Sequence, residues 1–585
     1  MGCIGPNESK LGFDPKVLQD KYRAERDKRL RSDGTNQYVP LDQDSLPDPY
    51  IESPITRGPI QEDIDFLTMG AGITNIRIVE KAGDFGGIWY WNRYPGAGCD
   101  TEAHIYMPLR EELGPIPAEK YAKAPELRKH AHNIGDKALF QTELQALGWN
   151  EDSGRWIGTT SRNDQIRAKF VATASGPLQN AKILRFPRSE TFKEHSFHTN
   201  RWDYGYTGGD TTGNLDKISD KRIGIIGTGT TAVQAVPHLA EGAKHLYLFQ
   251  RTPSSVDAQN NQLTDPAWVA SLTPGWQNQK MENFNTIVSG GQANEDLVND
   301  GWTHIIRRLS VLGGKDQPSA SADNALNRQL ADFEKMEQIR ARVDSTFCGR
   351  PCFYLPTFNR PNVILVDTDG QGIDKITEEG IVAGGKSYKL DCIIYATGFE
   401  YSVNHTNRSS LVIRGRGGLT LSEKWKNGAS TLHGMHRRGF PNLYIISLLQ
   451  SGVTPNLTHM LDEQAIHIAY ITLYCMNRHI NVLYTAADDE SKWVQTIVEL
   501  GKLQQDFVKE CTPGYYNNEG KESELVLRNS IYGLGSPAFI QVLKKWRKAG
   551  KLDGLEYVRR AHRLRNIWQA HFAYVLRLAF FPLQY

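Results

Sequence analysis

The stretch KRIGIIGTGTTAVQAVPHLAEGAKHLYLFQRT, residues 221–252, constrains the fold more than any other. An apolar strand over 222–226 runs into Gly227-Thr228-Gly229-Thr230-Thr231-Ala232, and a helical pattern follows. A second strand, 245–249, ends in Gln250-Arg251-Thr252. Gly227 permits a tight turn, Gly229 lets the backbone approach a pyrophosphate, and Ala232 lets the helix pack closely on the strand. The helix N-terminus then turns free N–H groups and the positive end of its dipole toward the phosphates. Arg251 falls close to the ribose-reading position, about 20 residues beyond the turn, and a basic residue there suits a 2′-phosphate. The pattern predicts a nucleotide-binding βαβ unit contacted by Gly227, Thr228, Gly229, Thr230, Thr231, Arg251 and Thr252. A glycine turn that merely packs is the alternative.

An earlier stretch, DFLTMGAGITNIRIVEK (65–81), looks like the same unit with its middle removed. Gly70 and Gly72 stand in the turn region and Glu80 stands where a ribose would be read, but too few residues separate them for a helix. A parallel crossover takes about a dozen residues or more. The expectation is therefore that 64–69 and 73–79 form a tight antiparallel pair or one continuous strand, and that the pyrophosphate there loses its helix N-terminus.

Further strand-like runs at 168–174, 362–367 and 391–396, with helical patterns between several of them, predict parallel α/β sheets. A chain of 585 residues exceeds the size at which one core keeps growing. Residues 1–60 read as a helix near 14–31 followed by a Pro/Asp-rich arm, and 256–346 as a mixed, helical insertion. The fold class expected is α/β: two dinucleotide-binding, Rossmann-like domains with a helical insertion. The formal net charge of +2 gives no reason to expect nucleic acid. Seven scattered cysteines without a CxxC pair argue against a disulfide framework or a zinc site and fit a reducing compartment. No metal is expected. No apolar run reaches the ~18 residues of a membrane span, and the start lacks a stretch of signal-peptide length, so a cytoplasmic location is expected. The apolar end, HFAYVLRLAFFPLQY, is broken by Arg577 and reads as a terminal helix rather than an anchor.

Gly86-Gly87-Ile88-Trp89-Tyr90-Trp91-Asn92-Arg93-Tyr94-Pro95-Gly96-Ala97-Gly98-Cys99-Asp100 resembles the flavin-side fingerprint of Baeyer–Villiger monooxygenases. Phe192-Lys193-Glu194-His195-Ser196-Phe197-His198-Thr199-Asn200-Arg201-Trp202-Asp203 is similar to that family's best-known signature. Similarity continues through GTGTTAVQ, QRTPSSVD, TFNRPNVILVD, IIYATGFE, LHGMHRRGFPNLY and CTPGYYNNEGK. The resemblance implies a flavin monooxygenase with disulfide-reductase-like architecture. It implies FAD, NADPH and O2 as reagents and insertion of one oxygen beside a ketone to give an ester or lactone. The family's catalytic arginine falls on Arg350, its carboxylate partner on Asp100, and its signature histidine on His198. Gly70, Gly72, Glu80, Gly87, Trp89, Asp100 and Tyr106 fall on the FAD side. The long N-terminal arm resembles members that act on bulky terpenoid or polyketide ketones in secondary metabolism.

The implied organisation is an N-terminal arm (1–60), an FAD-binding domain in two parts (61–180 and 386–558), an NADPH-binding domain in two parts (181–255 and 347–385), the insertion (256–346) and a tail (559–585). The chain departs from the family pattern at three places besides the shortened unit. Glu194 replaces a glycine, and with it glycine's freedom of φ. Gly349 replaces a lysine that contacts the NADP phosphate. Residues are also fewer around HNIGDKALFQT and GRPCFYLPTF. Two other readings therefore stand beside oxygen insertion: a degenerate paralogue that no longer binds FAD, and a heteroatom-oxidising flavin monooxygenase.

Overall fold

The computed structural model describes residues 12–41, 48–68, 75–129, 135–178, 180–185, 191–305, 322–346, 354–400, 411–521 and 524–559. Gly70, Gly72, Gly349, Arg350 and most of the tail expected to form a terminal helix lie outside these residues.

In chain order the strands that matter are β1 (Gln61–Thr68), β2 (Ile76–Val79), β3 (Ala138–Leu139), β4 (Leu144–Asn150), β5 (Arg155–Thr160), β6 (Gln165–Thr173), β7 (His195–His198), β8 (Arg222–Ile226), β9 (His245–Gln250), β10 (Val363–Asp367), β11 (Cys392–Tyr395), β12 (Val412–Arg414) and β13 (Leu443–Ile445). The longer helices are α1 (Pro15–Asp27), α2 (Thr230–Gly242), α3 (Trp276–Val288), α4 (Ala322–Thr346), α5 (Leu457–Asn477), α6 (Ala487–Glu510) and α7 (Gly535–Ala549). Two sheets organise the chain. One runs β12-β4-β5-β6-β1-β2-β3 with β13 on β6, and the other runs β10-β9-β8-β11-β7. The second is parallel throughout. Its central strand β8 is buried on both faces from Ile223 to Ile226, as a strand covered by helices must be. β8, α2 and β9 form the βαβ unit that the glycine spacing predicts.

The first unit corrects the expectation made for it. β1 and β2 run parallel, with Phe66 opposite Ile76, Leu67 opposite Arg77 and Thr68 opposite Ile78. The reason lies in the register. β2 begins opposite Phe66, near the end of β1, and β1 continues back from there to pair with β6. The chain therefore has to retrace only about two residues, roughly 7 Å of strand, rather than a whole strand length. The ~dozen-residue requirement applies to full overlap, and this overlap is short. The backbone N–H groups of Asp65 and Phe66 both donate to Asn75 O, which holds the return at its base.

The largest core cluster lies between the first sheet and α5, α6 and α7, and it includes Phe66, Phe170, Tyr444, Ile468, Trp493 and Phe539. Three imidazoles, His433, His436 and His467, are buried beside it, with His467 5.7 Å and 6.0 Å from the other two ring centres. Trp493 and Trp546 close around them. The N-terminal helix α1 docks where the sequence leaves two helical faces to be covered. Tyr22 meets Phe333 of α4 edge-on at 5.1 Å. Arg23 pairs with Glu510 at the end of α6 through two hydrogen bonds of 2.8 Å and 3.2 Å. Among the described residues no helix is long and apolar enough to cross a membrane.

Candidate active site

The turn after β8 is shaped by its glycines. Gly227 has φ +109°, and a Cβ there would stand 2.5 Å from Ala396 O at the end of the neighbouring strand β11. Gly229 has no atom within 4 Å of its would-be Cβ, so the surface above it is open. Gly229 caps α2 without a side-chain hydrogen bond, which leaves the first amide groups of a 13-residue helix facing outward. Thr228 donates through its hydroxyl to Thr252 O (2.7 Å), tying the turn to the end of β9. Thr252 Oγ1 itself is buried with no partner. An orphaned hydroxyl, an open glycine and an uncapped helix N-terminus together fit a dinucleotide phosphate, with Thr230 and Thr231 at its edge.

These two glycines make a paired prediction. Gly227→Ala is expected to destabilise the fold by about 2–4 kcal/mol, from the disfavoured φ plus the clash with backbone. Gly229→Ala, at φ −72° with free space around it, should leave the melting temperature unchanged and weaken NADP⁺ binding. Thermal melts and nucleotide titrations of both variants check this; equal melting losses would contradict it.

The flavin-side fingerprint comes from the other sheet and meets α2 directly. Gly87 (φ +51°) starts a short helix over Ile88–Trp91. Trp89 Nε1 donates to the hydroxyl of buried Tyr106 at 3.2 Å. The chain then turns against α2: Tyr94 OH donates to Gln234 Oε1 (2.9 Å), and Gln234 Nε2 donates to Gly98 O (2.9 Å). Gln234 lies in the first turns of α2, so this pair of bonds ties the Tyr94–Gly98 loop to the start of that helix.

Asp100 is exposed, yet protein crowds around it enough that burial raises its carboxyl above the usual range, against one backbone N–H. Two side chains from further along the chain hold this loop: Trp302 Nε1 donates to Asp100 O (3.0 Å) and Gln259 Nε2 to Cys99 O (3.1 Å). α3 is anchored beside them by Gln277, whose amide donates to His104 O and Met107 O, both at 2.8 Å. Its Lys280 pairs with Glu102, which also bonds His104 Nδ1 (2.8 Å).

Glu80 follows β2 and is buried. Its Oε1 accepts from Ala82 N at 2.8 Å. Burial pushes the carboxyl up to about 7, opposed by the Ala82 and Lys81 amides. Among the described residues no cation neutralises it, so hydroxyl donors such as those of a ribose fit it well. The group that would hold the adjoining pyrophosphate, Gly70 and Gly72, lies outside the described residues, as does Arg350.

His198 ends β7 and is fully enclosed. His198 Nδ1 lies 2.8 Å from Asn200 Oδ1 and 3.2 Å from the Asn200 backbone N, and Nε2 has no hydrogen-bond partner among the described residues. Burial lowers the imidazole to about 4, with Asn200 pulling the other way. It is therefore neutral at pH 7. Glu194, four residues before the signature histidine His198, lies on the surface outside the left-handed region, so glycine's freedom of φ is not needed there. Arg251 is the surprise. Its guanidinium is already engaged, by Gln37 Oε1 (2.6 Å), Tyr38 OH (3.1 Å) and Glu519 (3.6 Å). None of these three partners carries a sequence signal, since each is brought in from a distant part of the chain.

Comparison with known proteins places this arrangement. The Baeyer–Villiger monooxygenase ATR8 of Stachybotrys chlorohalonatus is 45% identical over 94% of this chain and 95% of its own length. The chain belongs to the Baeyer–Villiger monooxygenases. Neopentalenolactone D synthase of Streptomyces avermitilis is 46% identical over 93% of this chain and 99% of its own. Among solved structures, the polycyclic ketone monooxygenase of Thermothelomyces thermophila superimposes with a TM-score of 0.86 at 34% identity, over 95% of this chain and all of that one. An oxidised steroid monooxygenase bound to NADP gives a TM-score of 0.66 at 25% identity over 85% of this chain. No family model matches the chain. This Baeyer–Villiger monooxygenase is thus an oxidoreductase of two Rossmann-like domains, as its two glycine turns predict.

Proposed function

We infer that this enzyme uses FAD, NADPH and O2 to insert one oxygen atom beside a ketone, giving an ester or lactone. Its substrate is a bulky terpenoid or polyketide intermediate of secondary metabolism, handled in the cytoplasm. The observation that carries the reading is the junction at Gln234. There the flavin-side loop ending in Asp100 is hydrogen-bonded to the helix whose N-terminus faces the second nucleotide. One site thus serves both cofactors.

FAD, when bound, supplies the redox chemistry by which NADPH electrons activate O2. Everything else falls to the chain. Glu80, Gly70, Gly72, Gly87, Trp89 and Tyr106 would hold FAD, with Glu80 taking the ribose hydroxyls. Gly227, Thr228, Gly229, Thr230 and Thr231 would hold the NADP pyrophosphate, and Arg251 and Thr252 would read its 2′-phosphate. Arg350 would supply the permanent positive charge that stabilises developing negative charge on the reacting oxygen, and Asp100 would orient it through a charge-assisted hydrogen bond. His198, neutral and enclosed, positions its neighbours rather than transferring protons. In this reading 61–180 and 386–558 hold FAD, 181–255 and 347–385 hold NADPH, and 256–346 covers the cleft.

The test is product analysis. Purified protein reconstituted with FAD should be yellow and, with NADPH and labelled O2, should put one labelled oxygen into a polycyclic ketone as an ester. Colourless protein that takes up no FAD would mean the degenerate paralogue. Oxidation of a thioether with no ester from any ketone would mean a heteroatom-oxidising enzyme.

A further inference from the structure

Arg251 does not stand alone at the end of β9. Tyr38–Pro40 pairs antiparallel with Lys182–Leu184, and this small ribbon carries two residues to the guanidinium. Tyr38 OH accepts from Arg251, and the Lys182 ammonium lies 3.8 Å over the Tyr38 ring. Both cations face one buried carboxylate: Glu519 Oε1 is 3.7 Å from Lys182 Nζ, and Glu519 Oε2 is 3.6 Å from Arg251 Nη2. The distances are those of ion pairs, not close hydrogen bonds, and Glu519 Oε2 accepts none. Glu519 is held there at a cost. Asn518 and Glu519 both adopt positive φ, +53° and +54°, within the turn over Tyr515–Gly520, a conformation that side chains other than glycine resist. Next to Arg251 in the chain, Thr252 Oγ1 is buried without a partner.

Two cations, a spare hydroxyl and one loosely held anion describe a site built for something more negative than a carboxylate. We propose that Lys182 and Arg251 together clamp the 2′-phosphate of NADP(H), and that Glu519 is the molecule's own stand-in for that phosphate, displaced when the nucleotide binds. The inference rests on the reading of Arg251 given above and extends it. Lys182 supplies the second positive charge that Gly349 cannot. A dianionic phosphate satisfies two cations better than one carboxylate does, and its arrival frees the strained Glu519 turn to relax. An unphosphorylated ribose offers nothing to displace the carboxylate, so NAD(H) leaves the ion pairs in place.

The experiment is equilibrium titration of the full chain with NADP⁺ and with NAD⁺, followed by calorimetry, so that no turnover is involved. Lys182→Met should weaken NADP⁺ about tenfold, the equivalent of ~1.4 kcal/mol, and leave NAD⁺ within about twofold. Lys182→Arg, which keeps the charge, should restore most of the NADP⁺ affinity. Glu519→Gln should tighten NADP⁺ by several-fold and not NAD⁺. Unchanged NADP⁺ affinity in Lys182→Met and Glu519→Gln, or equal shifts for both nucleotides, overturns the clamp while leaving Arg251 as sole reader. A wild-type protein that binds NAD⁺ as tightly as NADP⁺ overturns the NADPH reading and the clamp together. Melting temperatures of the three variants within a few degrees of wild type exclude unfolding as the cause.

Discussion

Lowering the pH from 7 to 4 is expected to unfold the protein, through its buried histidines. His433, His436, His467 and His198 are all enclosed, and burial lowers all four imidazoles, His433 and His198 to about 4 and the other two well below their usual value. His433 Nδ1, His436 Nε2 and both nitrogens of His467 have no hydrogen-bond partner, and buried Arg437 adds its repulsion to a proton on His436. An unfolded histidine titrates near 6.5. Above that pH neither state is protonated and these rings cost nothing. Below it the unfolded chain binds protons the folded chain refuses, so stability falls as pH falls, and the loss continues until the folded-state values near 4 are passed. Each ring contributes a slope of ~1.4 kcal/mol per pH unit in that window. Against a total stability of about 5–15 kcal/mol, several such rings decide the outcome. Glu80, raised to about 7, and Asp100, Asp300 and Asp332, also raised, act in the opposite sense, but His238 and His459 are lowered as well and join the other imidazoles. Denaturant midpoints at pH 7, 6 and 5 measure the effect. A flat profile would refute it, and His467→Leu should flatten it in part.

The second large effect is on turnover. Arg350→Ala is expected to cut ester formation on the order of 10³-fold, the scale at which loss of one preorganised charge is felt. NADPH should still reduce the bound cofactor at close to the original rate, since hydride delivery needs no charge at that point. Asp100→Asn should cost less, about tenfold, because the amide keeps a hydrogen bond and loses only its charge. Burial raises the Asp100 carboxyl, and a guanidinium docked beside it would draw it back down. Rapid-mixing measurement of cofactor reduction, set beside product yield, separates the two half-reactions. Equal loss in both would remove Arg350 from the role given to it.

The parts of this enzyme that were legible in its sequence are those set by local spacing. The β8–α2–β9 unit is written in one continuous stretch, because strand, turn and helix periods each fit within a few residues. The Gly86–Asp100 stretch stood out for a different reason, its likeness to the family's flavin-side fingerprint. The pairing of β1 with β2 could not be read from the loop between them, because direction is fixed by how far the strands overlap, and Phe66 opposite Ile76 makes that overlap short. Nor could the Lys182–Arg251–Glu519 cluster be read, since its members are strewn across more than half the chain and spacing singles out Arg251 alone. The neutral state of His198 needed burial to be known, and the exposure of Glu194 needed the start of β7 to be placed.

The short overlap between β1 and β2 has a consequence for how the chain divides its tasks. Strand order and register are held by three residue pairs and by two amides on Asn75, not by whatever joins the strands. The two strands are joined at their carboxyl edge, the edge at which nucleotides bind in open α/β sheets. The pairing that fixes strand order and the backbone that would meet a cofactor are therefore separate stretches of chain, the first in Phe66–Thr68 and Asn75–Ile78.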